Sequence, residues 1–183
     1  MSNPEPEEFE AIFHRYGRPI LSFIFSLIGD RANAEELTQE TFTRAFCGLH
    51  TRQEKARIST WLFGIAHNVV REAIRQKYRN PDPVGLDEPV LQNLQDLRQL
   101  PDQRAISRDM FRKIQKALAS LTEDHRIVFV LKMVYRLQYE EISSITGASV
   151  GKLKTDLLRA RHEMRRRLVP YYGDQISGSR GKS

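Results

Sequence analysis

Apolar side chains recur every three to four residues along most of the chain, and no stretch alternates convincingly with a period of two. Such spacing is typical of amphipathic helices, because residues three and four positions apart share one helix face. The first stripe contains Phe9, Phe13, Tyr16, Ile20, Phe23, Ile24 and Leu27. Pro19 lies inside it, and we expect this proline to bend or break the helix.

Two further helices are predicted in the first 80 residues. One spans about 32–46 and follows Asp30, whose carboxylate suits an N-cap. The other spans about 60–79, with Ser59 as its N-cap. Residues 1–80 are therefore predicted to form an all-α domain.

The pattern changes at residues 80–101, which read NPDPVGLDEPVLQNLQDLRQLP. Its prolines cannot continue a helix, and few of its residues suit a core. Residues 81–104 are therefore predicted to be a flexible linker between two small helical domains. The second domain spans 105–170, and the polar residues 171–183 are predicted to be a disordered tail.

Four helices are predicted in the second domain, at about 103–120, 123–135, 139–146 and 149–168. Thr122 and Ser149 are the predicted N-caps of the second and fourth. The last two helices are joined by a turn around Gly147 and have the proportions of a helix-turn-helix.

The positive charge is concentrated at the C-terminal end. Residues 105–183 hold 16 basic and 8 acidic side chains, whereas residues 81–104 hold 2 and 5. A domain that is this basic suggests a polyanionic partner, although a charge run can also be a solvated face.

Several other classes of function are disfavoured. The single cysteine, Cys47, cannot form an intramolecular disulfide, and no Cys/His set has the spacing of zinc ligands, so no metal is expected. No phosphate-cradling loop or nucleophile with its base is recognisable, so we expect neither an enzyme nor a cofactor. The N-terminus lacks a signal peptide's apolar run and no stretch is long enough to span a membrane, which predicts a cytoplasmic protein.

A helical wheel of the last helix separates two faces. The apolar sector contains Val150, Leu153, Leu157, Ala160, Met164 and Leu168, and the opposite sector contains Lys152, Thr155, Arg159, His162 and Arg166. With Gly151 allowing close approach, this basic sector suits the major groove of DNA, and the flanking Lys154, Arg161 and Arg165 suit phosphates. Leu158 is either a boundary core residue or a contact to a thymine methyl group.

A second basic face is predicted on the helix STWLFGIAHNVVREAIRQKYR. Leu62, Ile65, Ala66, Val69 and Ala73 form its apolar side, and Asn68, Arg71, Arg75 and Arg79 point outward together. Each of the two domains therefore offers a basic helix, which a lone helix-turn-helix repressor would not need.

Three stretches together resemble the extracytoplasmic-function sigma factors, small bacterial transcription-initiation factors. The first, NAEELTQETFTRAF, resembles the helix that binds the polymerase clamp, and the second, STWLFGIAHNVVREAIRQKYR, resembles the reader of the minus-ten element. The third, LTEDHRIVFVLKMVYRLQYEEISSITGASVGKLKTDLLRAR, resembles the reader of the minus-thirty-five element. The resemblance implies promoter recognition and DNA melting by binding alone.

The resemblance and the helical wheels together give the expected contact residues. For the clamp coiled coil of the core polymerase large subunit these are Glu36, Gln39, Glu40 and Thr43. For the minus-ten element they are Thr60, Trp61, Asn68, Arg71, Arg75 and Arg79, although Trp61 is also interpretable as a core anchor. For the minus-thirty-five element they are Ser149, Gly151, Lys152, Lys154, Thr155, Arg159, Arg161 and Arg165. The polymerase flap is a further contact of the family, and an anti-sigma factor is a partner that the resemblance allows.

Four residues depart from the family pattern. Glu72 stands where aspartate is commoner, which is a mild change. His67 stands where arginine is common, and Lys152 stands where threonine is usual. Asp156 replaces a usual arginine, and it either points away from DNA, pairs with Lys152 one turn earlier, or accepts from a cytosine amino group; we favour the pairing.

Two other kinds of protein remain as alternatives. A two-component helix-turn-helix regulator has a similar C-terminal pattern, but it needs an upstream receiver domain of alternating strands and helices, whereas residues 1–80 predict only helices. A basic helix that binds a membrane or a protein is also conceivable. However, a membrane-surface helix would carry a broader apolar face with interfacial aromatic residues.

Overall fold

A computed structural model of the 183-residue chain describes residues 6–49, 57–79 and 108–177. These residues form two helical domains and contain no β-strand, which confirms the all-α prediction. Helices α1 to α3 make up the first domain and α4 to α7 the second. The predicted linker, 81–104, lies outside the described residues.

The first domain consists of α1 (Pro6–Ile28), α2 (Arg31–Gly48) and α3 (Ile58–Arg79). Of the bend or break predicted at Pro19, a break does not occur, because α1 continues through the proline. Three residues that follow the proline, Ile20, Phe23 and Ile24, are completely buried. Their burial favours a continuous helix by more than the one backbone hydrogen bond that proline removes.

The helix starts of the first domain were predicted with mixed success. Asp30 is the N-cap of α2, because its Oδ1 accepts a hydrogen bond from the Asn33 amide at 2.7 Å. By contrast, Ser59 is not the N-cap of α3. The Trp61 amide already donates to the Arg57 carbonyl at 3.1 Å, so the helical hydrogen bonds begin earlier and Ser59 lies in the first turn.

The second domain consists of four helices. They are α4 (Arg108–Ala119), α5 (Glu123–Phe129) with a π-helical continuation (Val130–Val134), α6 (Tyr139–Thr146) and α7 (Val150–Ser177). Helices α6 and α7 form the predicted helix-turn-helix. Gly147 ends α6 with φ = +74°, a left-handed conformation that glycine adopts without steric cost.

Both predicted N-caps of this domain are confirmed. The Thr122 hydroxyl accepts from the His125 amide at 3.4 Å, and the Ser149 hydroxyl accepts from the Lys152 amide at 3.3 Å. Helix α7, however, extends to Ser177 and so includes residues 171–177 of the predicted tail. The Lys113 ammonium of α4 lies 4.2 Å from the ring centroid of Tyr171, which holds this last part of α7 against the domain.

The two domains pack against each other through one continuous core. The ring of Tyr135, from the end of the π-helical turn, lies 4.6 Å from that of Phe63 and 6.2 Å from that of Phe23. Its hydroxyl donates to the Pro19 carbonyl of α1 at 2.7 Å. Burial raises the pKa of Tyr135, so the hydroxyl remains a protonated donor.

A second polar contact between the domains comes from Arg126 of α5. Its guanidinium donates to the Leu27 carbonyl at the end of α1, at 2.5 Å, and to the carbonyls of Ala119 and Leu121, both at 2.9 Å. Burial lowers the pKa of Arg126, and the carbonyl oxygens offset part of the lost hydration. Arg126 therefore joins the end of α1 to the turn between α4 and α5.

Candidate nucleic-acid interface

Helix α7 presents its basic sector to solvent. All five residues predicted for this sector are exposed: Lys152, Thr155, Arg159, His162 and Arg166. Of the predicted apolar sector, Leu153, Leu157, Ala160 and Met164 are buried, and Val150 and Leu168 are half-buried. The two faces of the wheel are confirmed.

Lys152 is held by two carboxylates of its own domain. Its Nζ lies 2.5 Å from Asp156 Oδ2 and 2.7 Å from Asp124 Oδ2. Hydrogen bonds to Asp124 and then Asp156 raise the pKa of Lys152. Asp156 is only 7% exposed and also lies 3.7 Å from His125 Nε2. The predicted pairing of Asp156 with Lys152 is confirmed.

Leu158 differs from its favoured interpretation. Its side chain is 70% exposed, so the prediction of a boundary core residue is wrong. The contact to a thymine methyl group therefore remains as its interpretation. Shallow apolar grooves flank it on both sides, one between α7 and the α4–α5 turn and the other between α7 and the end of α5 with its π-helical continuation.

The flanks and the start of α7 are open to solvent. Lys154, Arg161 and Arg165 are exposed, as predicted for phosphate contacts, and so are Ser149 and Gly151. A Cβ placed on Gly151 would meet no atom within 4 Å, so the backbone there is open to close approach.

Arg166 and Arg167 are less available than the flanking cations. Both pair with Glu163, with nitrogen–oxygen distances of 2.7 Å, and these bonds lower the pKa of Glu163 to about 2. The carboxylate therefore stays charged at neutral pH and offsets part of the positive charge at this end of the helix.

Helix α3 presents only part of its predicted face. Asn68 and Arg75 are exposed and Arg71 is half-buried, whereas the Arg79 side chain lies outside the described residues. Thr60 is 7% exposed, because its hydroxyl donates to Glu141 Oε1 of α6 at 3.0 Å. The structure thus brings Asn68, Arg71 and Arg75 together on one side of α3, whereas Thr60, at the start of the predicted minus-ten face, is covered by α6.

Trp61 packs against the core. Its half-buried ring adjoins α2, where a Cβ added to Gly48 would lie 3.5 Å from the indole. This placement agrees with the interpretation of Trp61 as a core anchor.

His67 is buried between α3 and the helix-turn-helix. Burial is the largest cause that lowers its pKa from 6.5 to about 4, with Arg71 adding to the effect. A backbone hydrogen bond with Ile145 and the charge of Asp124 act in the opposite direction. The imidazole is therefore neutral at physiological pH, and its position withdraws it from the exposed basic face.

Helix α2 exposes the residues that the sequence assigned to the polymerase clamp, Glu36, Gln39, Glu40 and Thr43. The Arg44 guanidinium donates to Glu40 at 2.7 Å and lies 2.8 Å from Glu72 of α3. These bonds raise the pKa of Arg44 and, on the other side, Arg44 lowers the pKa of Glu72. The acidic face of α2 is thus connected to the basic helix α3.

A cleft of about 540 Å³ separates α3 from the helix-turn-helix domain. Arg71 and Arg75 line one wall, and Glu123, Asp124 and Asp156 line the other. Sequence reasoning did not assign a function to Glu123 and Asp124 of the second wall, nor to Arg126, Tyr135 and Glu141. The sequence feature that could have pointed to Arg126 is its charge directly before the apolar run IVFVL.

Two family models match the chain. The model of sigma-70 region 2 matches residues 12–80, and that of sigma-70 region 4 matches residues 111–164. Among the described residues, no helix is long and apolar enough to cross a bilayer.

Full-length relatives are similar over nearly the whole chain. The RNA polymerase sigma factor YlaC of Bacillus subtilis is 29% identical over 165 residues, which cover 89% of this chain and 93% of YlaC. The extracytoplasmic-function sigma factor SigW of the same organism is 29% identical over 170 residues, 90% of each chain.

Solved structures show the same fold at lower identity. The sigma factor RpoE of Bartonella quintana, in complex with the anti-sigma factor NepR, has a TM-score of 0.68 at 21% identity and covers 88% of this chain and 97% of its own. CnrH, in complex with the cytosolic domain of CnrY, has a TM-score of 0.64 at 19% identity and covers 90% of each chain. With two basic helices in two domains and both sigma-70 regions in order, the chain belongs to the extracytoplasmic-function sigma factors of the sigma-70 family.

Proposed function

We propose that this sigma factor binds core RNA polymerase through the exposed face of α2 and reads promoter DNA with α3 and α7. Residues 1–80 bind polymerase and melt the minus-ten element, and residues 105–170 bind the minus-thirty-five element as duplex. Residues 81–104 connect the two domains, and 171–183 form a C-terminal segment of which 171–177 continue α7. The protein works in the cytoplasm by binding, without catalysis of its own.

The observation that carries this proposal is the distribution of exposed charge. Glu36, Gln39 and Glu40 make α2 acidic and amide-rich, whereas α3 and α7 each carry an exposed basic face. An acidic face disfavours DNA and suits a protein partner, whereas basic faces favour phosphates. The acidic surface of α2 therefore suits the polymerase, and the basic surfaces of α3 and α7 suit the two promoter elements.

The proposed contacts are assigned to each face in turn. On α2 they are the exposed Glu36, Gln39, Glu40 and Thr43, and on α3 they are the exposed Asn68 and Arg75 and the half-buried Arg71. Thr60, Trp61 and Arg79 complete the proposed minus-ten set. On α7, Thr155 and Arg159 read bases, and Lys154, Arg161 and Arg165 bind phosphates. Ser149, Gly151 and Lys152 lie at the N-terminal end of α7, which comes closest to the DNA.

A regulatory partner is also proposed. The solved structures of RpoE with NepR and of CnrH with CnrY have the fold of this chain, which supports an anti-sigma factor as a partner here. A two-component regulator is not favoured, because sigma-70 region 2 matches residues 12–80, where a receiver domain would lie.

Run-off transcription with purified bacterial core polymerase and a promoter library tests the proposed function. We expect specific transcripts only when both core polymerase and this chain are present. Gln39→Ala with Glu40→Ala should weaken core binding in calorimetry by about 1 kcal/mol or more, since hot-spot contacts are lost.

The matched control is Glu10→Ala, which removes an exposed carboxylate from α1 instead. Equal core affinity of the α2 variant and the wild-type protein would remove α2 from the proposed interface. The absence of any specific transcript would overturn the proposed function itself.

A further inference from the structure

The turn between the π-helical continuation of α5 and the start of α6 holds an arginine in an unfavourable backbone conformation. Arg136 has φ = +56° and is, among the described residues, the one non-glycine residue with a positive φ. A side chain disfavours this left-handed region, because its Cβ comes too close to a backbone carbonyl oxygen. Two other helix ends of the chain place a glycine in this conformation, Gly29 with φ = +73° and Gly147 with φ = +74°. Arg136 departs from that rule.

The fold sets the left-handed conformation at this position. The Tyr135 amide donates to the Val130 carbonyl at 3.2 Å, and the Leu137 amide donates to the Leu131 carbonyl at 3.1 Å, so these bonds close the end of the π-helical turn. The left-handed residue between them reverses the chain, which leaves Leu137 only 7% exposed in the core. The conformation of residue 136 is thus required by the helix end, whereas the arginine side chain is not.

Contacts within the protein do not account for the arginine. Its side chain is exposed, and within the described part of the chain Arg136 has no ion pair or side-chain hydrogen bond. A cation near a helix C-terminus is favourable, but Lys132 already supplies one in the last turn. Backbone strain that the folded protein does not offset indicates a function outside the fold.

Arg136 lies at the end of a basic cluster that begins on α7. The Lys154 ammonium of α7 lies 5.7 Å from the ring centroid of Tyr139, in the first turn of α6, and the Lys132 ammonium lies 4.6 Å from the same centroid. The Lys132 ammonium also donates to the Leu137 carbonyl at 2.9 Å, directly next to Arg136. Three cations, Lys154, Lys132 and Arg136, therefore follow one another from the flank of α7 to the turn before α6. We call them the Tyr139 cluster.

The Tyr139 cluster keeps a positive charge. Two acidic residues lie in the first turn of α6, Glu140 and Glu141. The Glu141 carboxylate is already bonded to the Gln138 amide at 2.8 Å and to the Thr60 hydroxyl at 3.0 Å. Glu140 remains as an exposed carboxylate against three cations. The surface beside α7 therefore attracts a phosphate strand.

We propose that Arg136 binds a DNA phosphate and extends the DNA contact of α7 onto the turn before α6. The inference rests on the proposed function, because it assumes that Lys154, on the flank of α7, follows a DNA strand. Phosphates recur about every 3.4 Å of helix axis on each strand, so a strand held at Lys154 presents further phosphates along the Tyr139 cluster. The charge of Arg136 reaches that strand from a position that otherwise suits glycine.

Replacements at this one position separate the charge from the backbone strain. Arg136→Gly removes both, Arg136→Asn removes the charge and tolerates the left-handed conformation, and Arg136→Lys keeps both. Anisotropy of a labelled random-sequence DNA duplex measures binding by the full chain between about 50 and 200 mM salt. The two uncharged variants should lower the magnitude of the salt slope by about one unit, so their loss of affinity should shrink about 3.5-fold over this range. Arg136→Lys should bind as the wild-type protein does.

Unfolding in urea supplies a signature of opposite sign. Arg136→Gly removes the strained side chain, so the ratio of folded to unfolded protein should rise by up to about fivefold. Arg136→Lys should leave this ratio unchanged. An arginine that served the fold would lose stability and DNA affinity together, whereas a strained phosphate contact loses affinity and gains stability.

The matched control is Arg112→Ala, which removes the same charge from an exposed position of α4. We expect its salt slope to equal that of the wild-type protein. An equal decrease in the two variants would assign the effect to total charge and overturn the contact. An unchanged slope or a lower stability for Arg136→Gly would overturn it as well. Specific run-off transcripts together with an unchanged slope would retain the proposed function and remove only Arg136 from the DNA contact.

Discussion

Helices α3 and α7 both carry a basic face, yet they differ in how much of it is available. On α7, Thr155, Arg159 and Arg165 are all exposed. On α3, Asn68 and Arg75 are exposed, but Thr60 lies beneath Glu141 of α6. The same sequence pattern thus produces one open surface and one that is partly covered.

The difference follows from what each helix packs against. Helix α7 is the last helix of its domain and buries its apolar side on α4, α5 and α6, which leaves the opposite side to solvent. Helix α3 packs on α1 and α2 and also on α6 of the other domain. An outward face in an isolated domain therefore need not be a solvent face in the whole chain.

The largest expected effect tests α3. Asn68→Ala with Arg75→Ala should lower the formation of open promoter complexes by up to about 100-fold, because two proposed DNA contacts are lost. Closed-complex binding should change less, since the proposed function places these side chains against DNA only where the strands separate. Permanganate footprinting measures the open complexes. A normal bubble in this variant would place α3 outside the melted region.

Arg159→Ala tests whether α7 reads sequence. Loss of a base contact should cost about 1–3 kcal/mol at one base position and relax selectivity there. Competition binding across single-base variants of the minus-thirty-five element measures this. Arg165→Ala is the matched comparison and should weaken all sequences alike, with a salt slope that is smaller by about one unit. If Arg159→Ala lowers the affinity for every sequence equally, Arg159 contacts phosphates and not bases.

The buried His67 leads to the prediction that the two domains separate at acidic pH. Its pKa is lowered from 6.5 to about 4 by burial, so its contribution to closure is fully present above pH 6.5 and is lost as the pH falls towards 4. The loss amounts to about 2 kcal/mol by pH 5. Arg71 on α3, Asp124 on α5 and the Ile145 backbone on α6 are the groups that act on the imidazole.

Energy transfer between a dye on the exposed Cys47 of the first domain and a second dye on Val169→Cys of α7 measures this dependence. The control is His67→Gln, which remains uncharged throughout and should flatten the change between pH 6.5 and 5. If the variant and the wild-type protein show the same pH dependence, other groups control the opening.

The smallest expected effect concerns Lys152. Lys152→Ala leaves Asp124 and the buried Asp156 without their shared ammonium partner. Since Lys152 is about half exposed, we expect a loss of about 1 kcal/mol in the free energy of unfolding. Urea unfolding measures it, with Lys154→Ala as the control on the exposed flank. Equal stabilities of the two variants would show that the carboxylates do not need Lys152.

The sequence predicted the helices well because their causes are local. Helical periodicity and the caps at Asp30, Thr122 and Ser149 depend on residues three to four positions apart. The pairing of Asp156 with Lys152 was predictable for the same reason, since both lie on one helix one turn apart.

The contact between the domains could not be predicted in this way. Glu141 lies near the start of the helix predicted at about 139–146, and nothing local shows that its carboxylate also contacts Thr60, 81 residues earlier. The prediction that Leu158 lies at the edge of the core was wrong, although an apolar residue at the edge of an apolar sector is usually buried. Such placements depend on how separate helices pack, and no local pattern determines that packing.

The long separations across the domain contact also matter during synthesis. Tyr135 and Pro19 are 116 residues apart, and Arg126 and Leu27 are 99 apart. Ribosomes add about 5–20 residues per second, so the acceptor carbonyls leave the ribosome about 5–20 s before their donors. During that interval Phe23, Phe63 and the start of α3 are exposed in the nascent first domain, because Tyr135 and α6 have not yet been made. A newly made chain is therefore more exposed to premature binding and to proteolysis than the finished protein.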